Sequence, residues 1–147
     1  MVYRMPREPS TPRIAVWRKL RRLGAVQLGD GVVTLPETAE TLEQFEWLAE
    51  EVTEAGGEAL VWSGAPTSAA QERSVLARMA AARADEYLVV AAKAAEAPAD
   101  PAARLRVVRQ LRRELYRIDK RDHVHPPERE IARRAVDVLA QEAVVPS

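Results

Sequence analysis

The chain has 147 residues, 47% of them hydrophobic, and its 22 basic and 22 acidic side chains cancel to a net charge of zero. That length predicts one compact domain with an appendage, and the net charge argues neither for nor against a polyanionic partner. The absence of cysteine excludes disulfides and thiolate chemistry. No apolar run reaches the length of a membrane span or a secretory leader, so the sequence reads as cytoplasmic with no membrane partner.

Val2 to Met5, ahead of Pro6, form a short first strand. Thr11 is a suitable N-cap and Pro12 fits the first helical position, opening a helix in which Ile14, Trp17 and Leu20 recur at three-residue spacing as its core side. Arg13, Arg18, Lys19, Arg21 and Arg22 cover much of the rest, and Gly24 ends it. Ala25 to Leu28 and Val32 to Leu35 read as strands joined by Gly29-Asp30-Gly31, a turn needing positive φ. Thr38 opens a second helix over residues 39–55 with Leu42, Phe45, Leu48, Ala49 and Val52 as its buried stripe. Gly56-Gly57 ends that helix, and Glu58 to Trp62 make a last strand.

This β-α-β-β-α-β order predicts an α+β, ferredoxin-like split sandwich over residues 1–66. Residues 67–147 read as a helical C-terminal extension that packs on that domain or on a dimer mate. A helix from Ser68 to about Ala97 carries Val75, Leu76, Met79, Tyr87, Leu88 and Val90. One from about Ala102 to Arg121 sets Leu105, Val108, Leu111, Leu115 and Ile118 opposite Arg106, Arg109, Arg113, Arg117 and Lys120. A final helix after Pro126-Pro127 carries Ile131, Ala135, Val138 and Leu139.

Charge is patterned along this order. Residues 1–29 hold seven bases and one acid, residues 37–58 hold eight glutamates and no base, and residues 98–125 hold eight bases and four acids.

An ordered set of residues carries a family resemblance: Tyr3-Arg4-Met5-Pro6, Pro9-Ser10, Arg13, Trp17-Arg18, Leu23-Gly24-Ala25, Gly31-Val32, Leu35-Pro36 and Gly56-Gly57-Glu58-Ala59. Residues 2–62 resemble the N-terminal domain of the chromate-resistance regulator ChrB, and Glu86-Tyr87, Leu115, Ile118 and Arg121-Asp122 are similar to the segment that follows in that family. The resemblance implies a ferredoxin-like domain related to the dimeric domain of phenylacetate-type repressors and, more distantly, to the CRISPR adaptation nucleases. Longer members carry a second, C-terminal domain, which these 147 residues do not include. A nuclease of that type would place an acid at the end of the first strand, where Met5-Pro6 stands here, so the chain is not expected to be an enzyme.

The basic face formed by Arg13, Arg18, Lys19, Arg21 and Arg22 is the candidate site for DNA phosphates or for an oxyanion such as chromate. The competing reading is a solvated face that pairs with the glutamates of the second helix. Trp17 reads as core, whereas Trp47 and Trp62 suit either core or a homodimer surface. Asp119, Asp122, His123 and His125 have the chemistry of metal ligands but lack distant partner ligands, so the expectation is a helix end and loop with no metal and no cofactor. A small oxyanion-binding accessory protein or an enzyme of the same fold, with no DNA-binding role, is the alternative function.

Overall fold

The computed structural model describes residues 1–145. It contains a four-stranded antiparallel sheet and five helices in the order β1 (Val2–Arg4), α1 (Ser10–Leu23), β2 (Val26–Gly29), β3 (Val32–Thr34), α2 (Ala39–Glu54), β4 (Glu58–Leu60), α3 (Ala69–Ala95), α4 (Pro101–Lys120) and α5 (Glu128–Val144). Two compact units divide inside α3, after Leu76.

In the first unit the strand order is β2-β3-β1-β4, which leaves β2 and β4 as the edges. Val16 and Leu20 of α1 and Phe45, Leu48 and Val52 of α2 share one core with Met1 and Val33, so both helices cover the same sheet face. The opposite face is open: Val2 pairs with Val32 and Leu60 across it, and Val2 and Leu60 stay exposed. The β2–β3 turn depends on Gly31, whose φ of 71° is one that L side chains rarely adopt. The Tyr3 amide donates to the Gly31 carbonyl at 2.7 Å, and a Cβ added at Gly31 would lie 2.1 Å from the Tyr3 carbonyl oxygen.

Local signals explain both helices, with one correction. α1 starts at Ser10 behind Pro9 with no side-chain cap, so Thr11 lies inside the helix and is not its N-cap. α2 is capped by Thr38, whose hydroxyl accepts from the Thr41 amide at 3.0 Å while the Thr41 hydroxyl accepts from the Thr38 amide at 2.9 Å. This is a capping box with threonine in the position that glutamate or glutamine usually takes.

The expected core side of α1 is corrected. Trp17 is 47% exposed and Ile14 42%, while Val16 and Leu20 are buried and Leu23 is partly buried against the core. At 3.6 residues per turn a strict three-residue spacing drifts around the helix, whereas the four-then-three spacing of Val16, Leu20 and Leu23 stays on one face. Leu42 of α2 is likewise exposed, with Thr41 buried in its turn. β4 ends at Leu60, so Trp62 lies beyond the strand, 70% exposed, and is not core.

The second unit is helical. Asp100 caps α4 by accepting from the Ala103 amide at 2.7 Å, with Pro101 in the first turn. Tyr87, Val90 and Ala94 of α3, Val108, Leu111, Leu115 and Ile118 of α4, and Ala132, Val136 and Leu139 of α5 form its core. The apolar side of α4 is therefore covered within its own chain and is not free for a dimer mate, apart from Leu105, which is partly exposed. α3 turns Leu76 and Leu88 outward. In α5, Ile131 and Val138 are also exposed, and the buried stripe sits one residue on, at Ala132, Val136, Leu139 and Ala143. Arg129 and Arg133 of α5 both pair with Asp119 near the end of α4. Among the described residues, no helix is long and apolar enough to cross a membrane.

Candidate functional site

Burial of Val16 and Leu20 sets where the bases of α1 point. Helical geometry turns Arg18, Arg21 and Arg22 away from the core and leaves Lys19 and Arg13 on opposite flanks. Lys19 faces α2 and is ion-paired to Glu51. The Arg21 guanidinium lies 4.9 Å from the centre of the Trp17 ring, which accounts for an exposed tryptophan on this helix. Arg13, Arg18, Arg21 and Arg22 have no carboxylate within 4.0 Å among the described residues.

The expectation that α1 pairs with the glutamates of α2 therefore holds at a single contact. α2 buries Phe45, Leu48 and Val52, so its period sends Glu43, Glu46, Glu50 and Glu54 to the side away from that core, and only Glu51 reaches α1. The result is an arginine face beside a glutamate face. Arg21 and Arg22 sit in the last turn of α1, where positive charge also offsets the helix dipole.

The residues read as a metal-ligand candidate have other partners. Asp122 is buried at the end of α4 and accepts hydrogen bonds from the His125 amide at 2.8 Å, the Val124 amide at 3.0 Å and the Tyr87 hydroxyl at 2.9 Å. Asp119, 2.7 Å from the same hydroxyl, shares the hydroxyl's one proton with Asp122 and accepts from Arg129 at 2.9 Å and from Arg133 at 2.8 Å. Beside Tyr87 in sequence on α3, Glu86 pairs with both Arg83 and Arg121.

Burial works against the charged form of each aspartate. For Asp119 the hydrogen bonds from Arg129, Arg133 and Tyr87 outweigh it, and for Asp122 those from the His125 and Val124 amides and from Tyr87 do, so both carboxyls are held below their usual range. Burial, and then the two acceptors, push the Tyr87 hydroxyl far up, so it stays a donor. This polar cluster ties α3, α4 and α5 together. The residue that joins it is Tyr87, and its sequence signal is the resemblance at Glu86-Tyr87 and Arg121-Asp122, the two pairs that this cluster brings together.

A small antiparallel sheet covered on one face by a basic and an acidic helix defines a mixed α+β domain that sets arginines beside glutamates. The chain matches the family described as the N-terminal part of protein ChrB over residues 13–100, from α1 to the cap of α4, and belongs to that family, which is associated with chromate resistance. No curated protein and no solved structure matches it.

Proposed function

We propose that this protein is a cytoplasmic, non-enzymatic transcriptional regulator or sensor accessory in chromate resistance, and that it binds DNA through the outward arginines of α1. The β-α-β-β-α-β order with strands arranged 2-3-1-4 supports a ferredoxin-like reading of the sheet unit. The observation that carries the functional reading is the missing compensation: Arg18, Arg21 and Arg22 stand on one exposed face with no acid in reach, next to a helix rich in glutamate. Arginine suits this role because its planar fork matches phosphate oxygens in pairs.

Binding to a short duplex from the chain's own upstream region should weaken with salt, with a log–log slope of about −0.9 per phosphate neutralised. Replacing Arg18, Arg21 and Arg22 together by alanine is expected to flatten that slope by about 2–3, while Lys19→Ala, which breaks only the pair with Glu51, leaves it unchanged. An unchanged slope in the triple variant overturns the assignment.

A compact oxyanion such as chromate is the second reading, favoured by the glutamates of α2, which resist the close approach of an extended polyanion. Calorimetric titration with chromate and with sulfate separates the two. If that reading holds, chromate binds the parent chain, the triple variant loses it, and the DNA slope does not depend on α1.

The regulator acts as a homodimer formed at the β4 edge, where a strand's backbone groups have no neighbour and Leu60 and Trp62 are exposed. Light scattering on a sizing column is expected to give twice the chain mass, and Leu60→Lys to reduce it to one. A parent chain that elutes at the mass of one copy contradicts the dimer.

A further inference from the structure

We propose that α4 presents a second polyanion-binding face, made by Arg106, Arg109, Arg113, Arg117 and Lys120, and that its ligand is the phosphate backbone of duplex DNA. From the functional reading above it takes only the nature of the ligand. The residues lie outside α1, in the other compact unit, and beyond the stretch that matches the family.

Val108, Leu111, Leu115 and Ile118 are buried, which fixes the rotation of α4. On a 3.6-residue helix the five bases then fall in one narrow stripe opposite that core, and all five are exposed. From Arg106 to Lys120 the stripe runs for about 21 Å at the helical rise, a length comparable to about six base pairs at 3.4 Å each.

Acids are available nearby, but other bases take them. Arg104 pairs with Glu142 at 3.2 Å, Arg112 with Asp137 at 4.0 Å, and Lys93 with Glu114 at 2.9 Å. The flanking bases thus stand nearest these carboxylates, and none of the five in the stripe has an ion-pair partner among the described residues. A helix that needed charge only for solubility would gain more from opposite charges spaced three or four residues apart along the same face. Here like charges stand at that spacing, an arrangement that costs stability in the free protein and is relieved by a polyanion.

The chemistry also separates the classes of polyanion. Amphipathic helices that lie on lipid insert an exposed apolar face, and the apolar face of α4 is packed inside its own unit. Single-stranded nucleic acid is held by stacking on open aromatic rings. α4 carries a single ring, Tyr116, exposed and with Lys120 4.9 Å from its centre, so it offers no row of rings for successive bases. Duplex phosphate, read by charge alone, remains.

The test is a salt titration of the full chain on a short random-sequence duplex, in parallel with vesicles rich in phosphatidylserine. Four proteins are compared: the parent, Arg106, Arg109, Arg113 and Arg117 all changed to Gln, Arg18, Arg21 and Arg22 all changed to Ala, and the combination. Glutamine keeps the helix propensity of arginine, and far-UV circular dichroism checks the fold. The four-fold glutamine variant is expected to bind duplex at least tenfold more weakly at low salt, with a slope shallower by about 0.9 for each phosphate it no longer neutralises, about 2–4 in all. It should do so whether or not the α1 changes are present. Unchanged duplex binding in that variant overturns the α4 assignment even if the α1 variant loses affinity, and the reverse pattern removes the α1 assignment and leaves α4 standing. Vesicle binding tighter than duplex binding, through the same four arginines, also overturns it.

Discussion

Asp122→Ala is expected to lower the melting temperature by about 10–30 °C. The side chain is fully enclosed and accepts from two backbone amides and from the Tyr87 hydroxyl. Its removal leaves the two amides without that acceptor in a partly buried turn, at a cost of about 2–4 kcal/mol, while the Tyr87 hydroxyl keeps Asp119 at 2.7 Å, and a unit of this size loses about 4–8 °C per kcal/mol. Asp122→Asn keeps an acceptor oxygen for the amides and should lose less. The same cluster sets a pH window. Asp119 and Asp122 have carboxyls held below their usual range, so their contribution is complete above an unfolded pKa of about 3.9 and is lost as pH falls through the folded values. Tyr87 is raised, so its contribution is complete below an unfolded pKa of about 10 and is lost as pH rises through the folded value. The contribution of this cluster to the melting temperature, followed by circular dichroism, should therefore fall away below about pH 4 and above about pH 10. A parent chain equally stable at pH 2 and at pH 7, or an Asp122→Ala melt within about 2 °C of the parent, contradicts this reading of the cluster.

Gly31→Ala is expected to destabilise the sheet unit strongly. The added Cβ would sit 2.1 Å from the Tyr3 carbonyl oxygen, and the residue would have to hold a φ of 71°. The left-handed conformation alone costs an L residue about 1–2 kcal/mol. The clash forces β1 and β3 apart and weakens the 2.7 Å bond between the Tyr3 amide and the Gly31 carbonyl, adding about 1 kcal/mol or more. Gly29→Ala is the control: its Cβ would meet nothing within 4 Å, and it should change stability by no more than about 0.5 kcal/mol. All three tryptophans lie before residue 77, so their fluorescence reports unfolding of this unit. Equal denaturation midpoints for the two variants would show that the turn does not need a glycine at residue 31.

The order of elements in the sheet unit was legible because each boundary carries its own chemistry: Gly24, the Gly29-Asp30-Gly31 turn, the Thr38 cap and Gly56-Gly57. Helix faces were less so. Trp17 and Ile14 are large and apolar, and a reading by residue type puts them inside. Only the combined spacing of Val16, Leu20 and Leu23 turns them out, and the Arg21 guanidinium then lies over the exposed Trp17 ring. α5 shows the same limit, since its buried stripe is settled by packing with α3 and α4, and neither that packing nor the pairs from Arg129 and Arg133 to Asp119 leave a local trace in sequence. The five candidate site residues were visible as a charge run. Their division into three outward arginines, one flanking arginine and a lysine committed to Glu51 depends on where α2 packs. The Tyr87 hub could not be read either, because its acceptors are more than 30 residues away.

The most direct measurement of whether α1 is a binding face is a nuclear magnetic resonance titration of the full chain, observing the side-chain Nε–H groups of the arginines as short duplex DNA is added at low salt. A binding face on α1 requires that the signals of Arg18, Arg21 and Arg22 shift together and saturably, that raising the salt reverses the shifts, and that Arg104, paired with Glu142, stays in place. A titration that leaves all three α1 signals unmoved while the duplex is bound would contradict it.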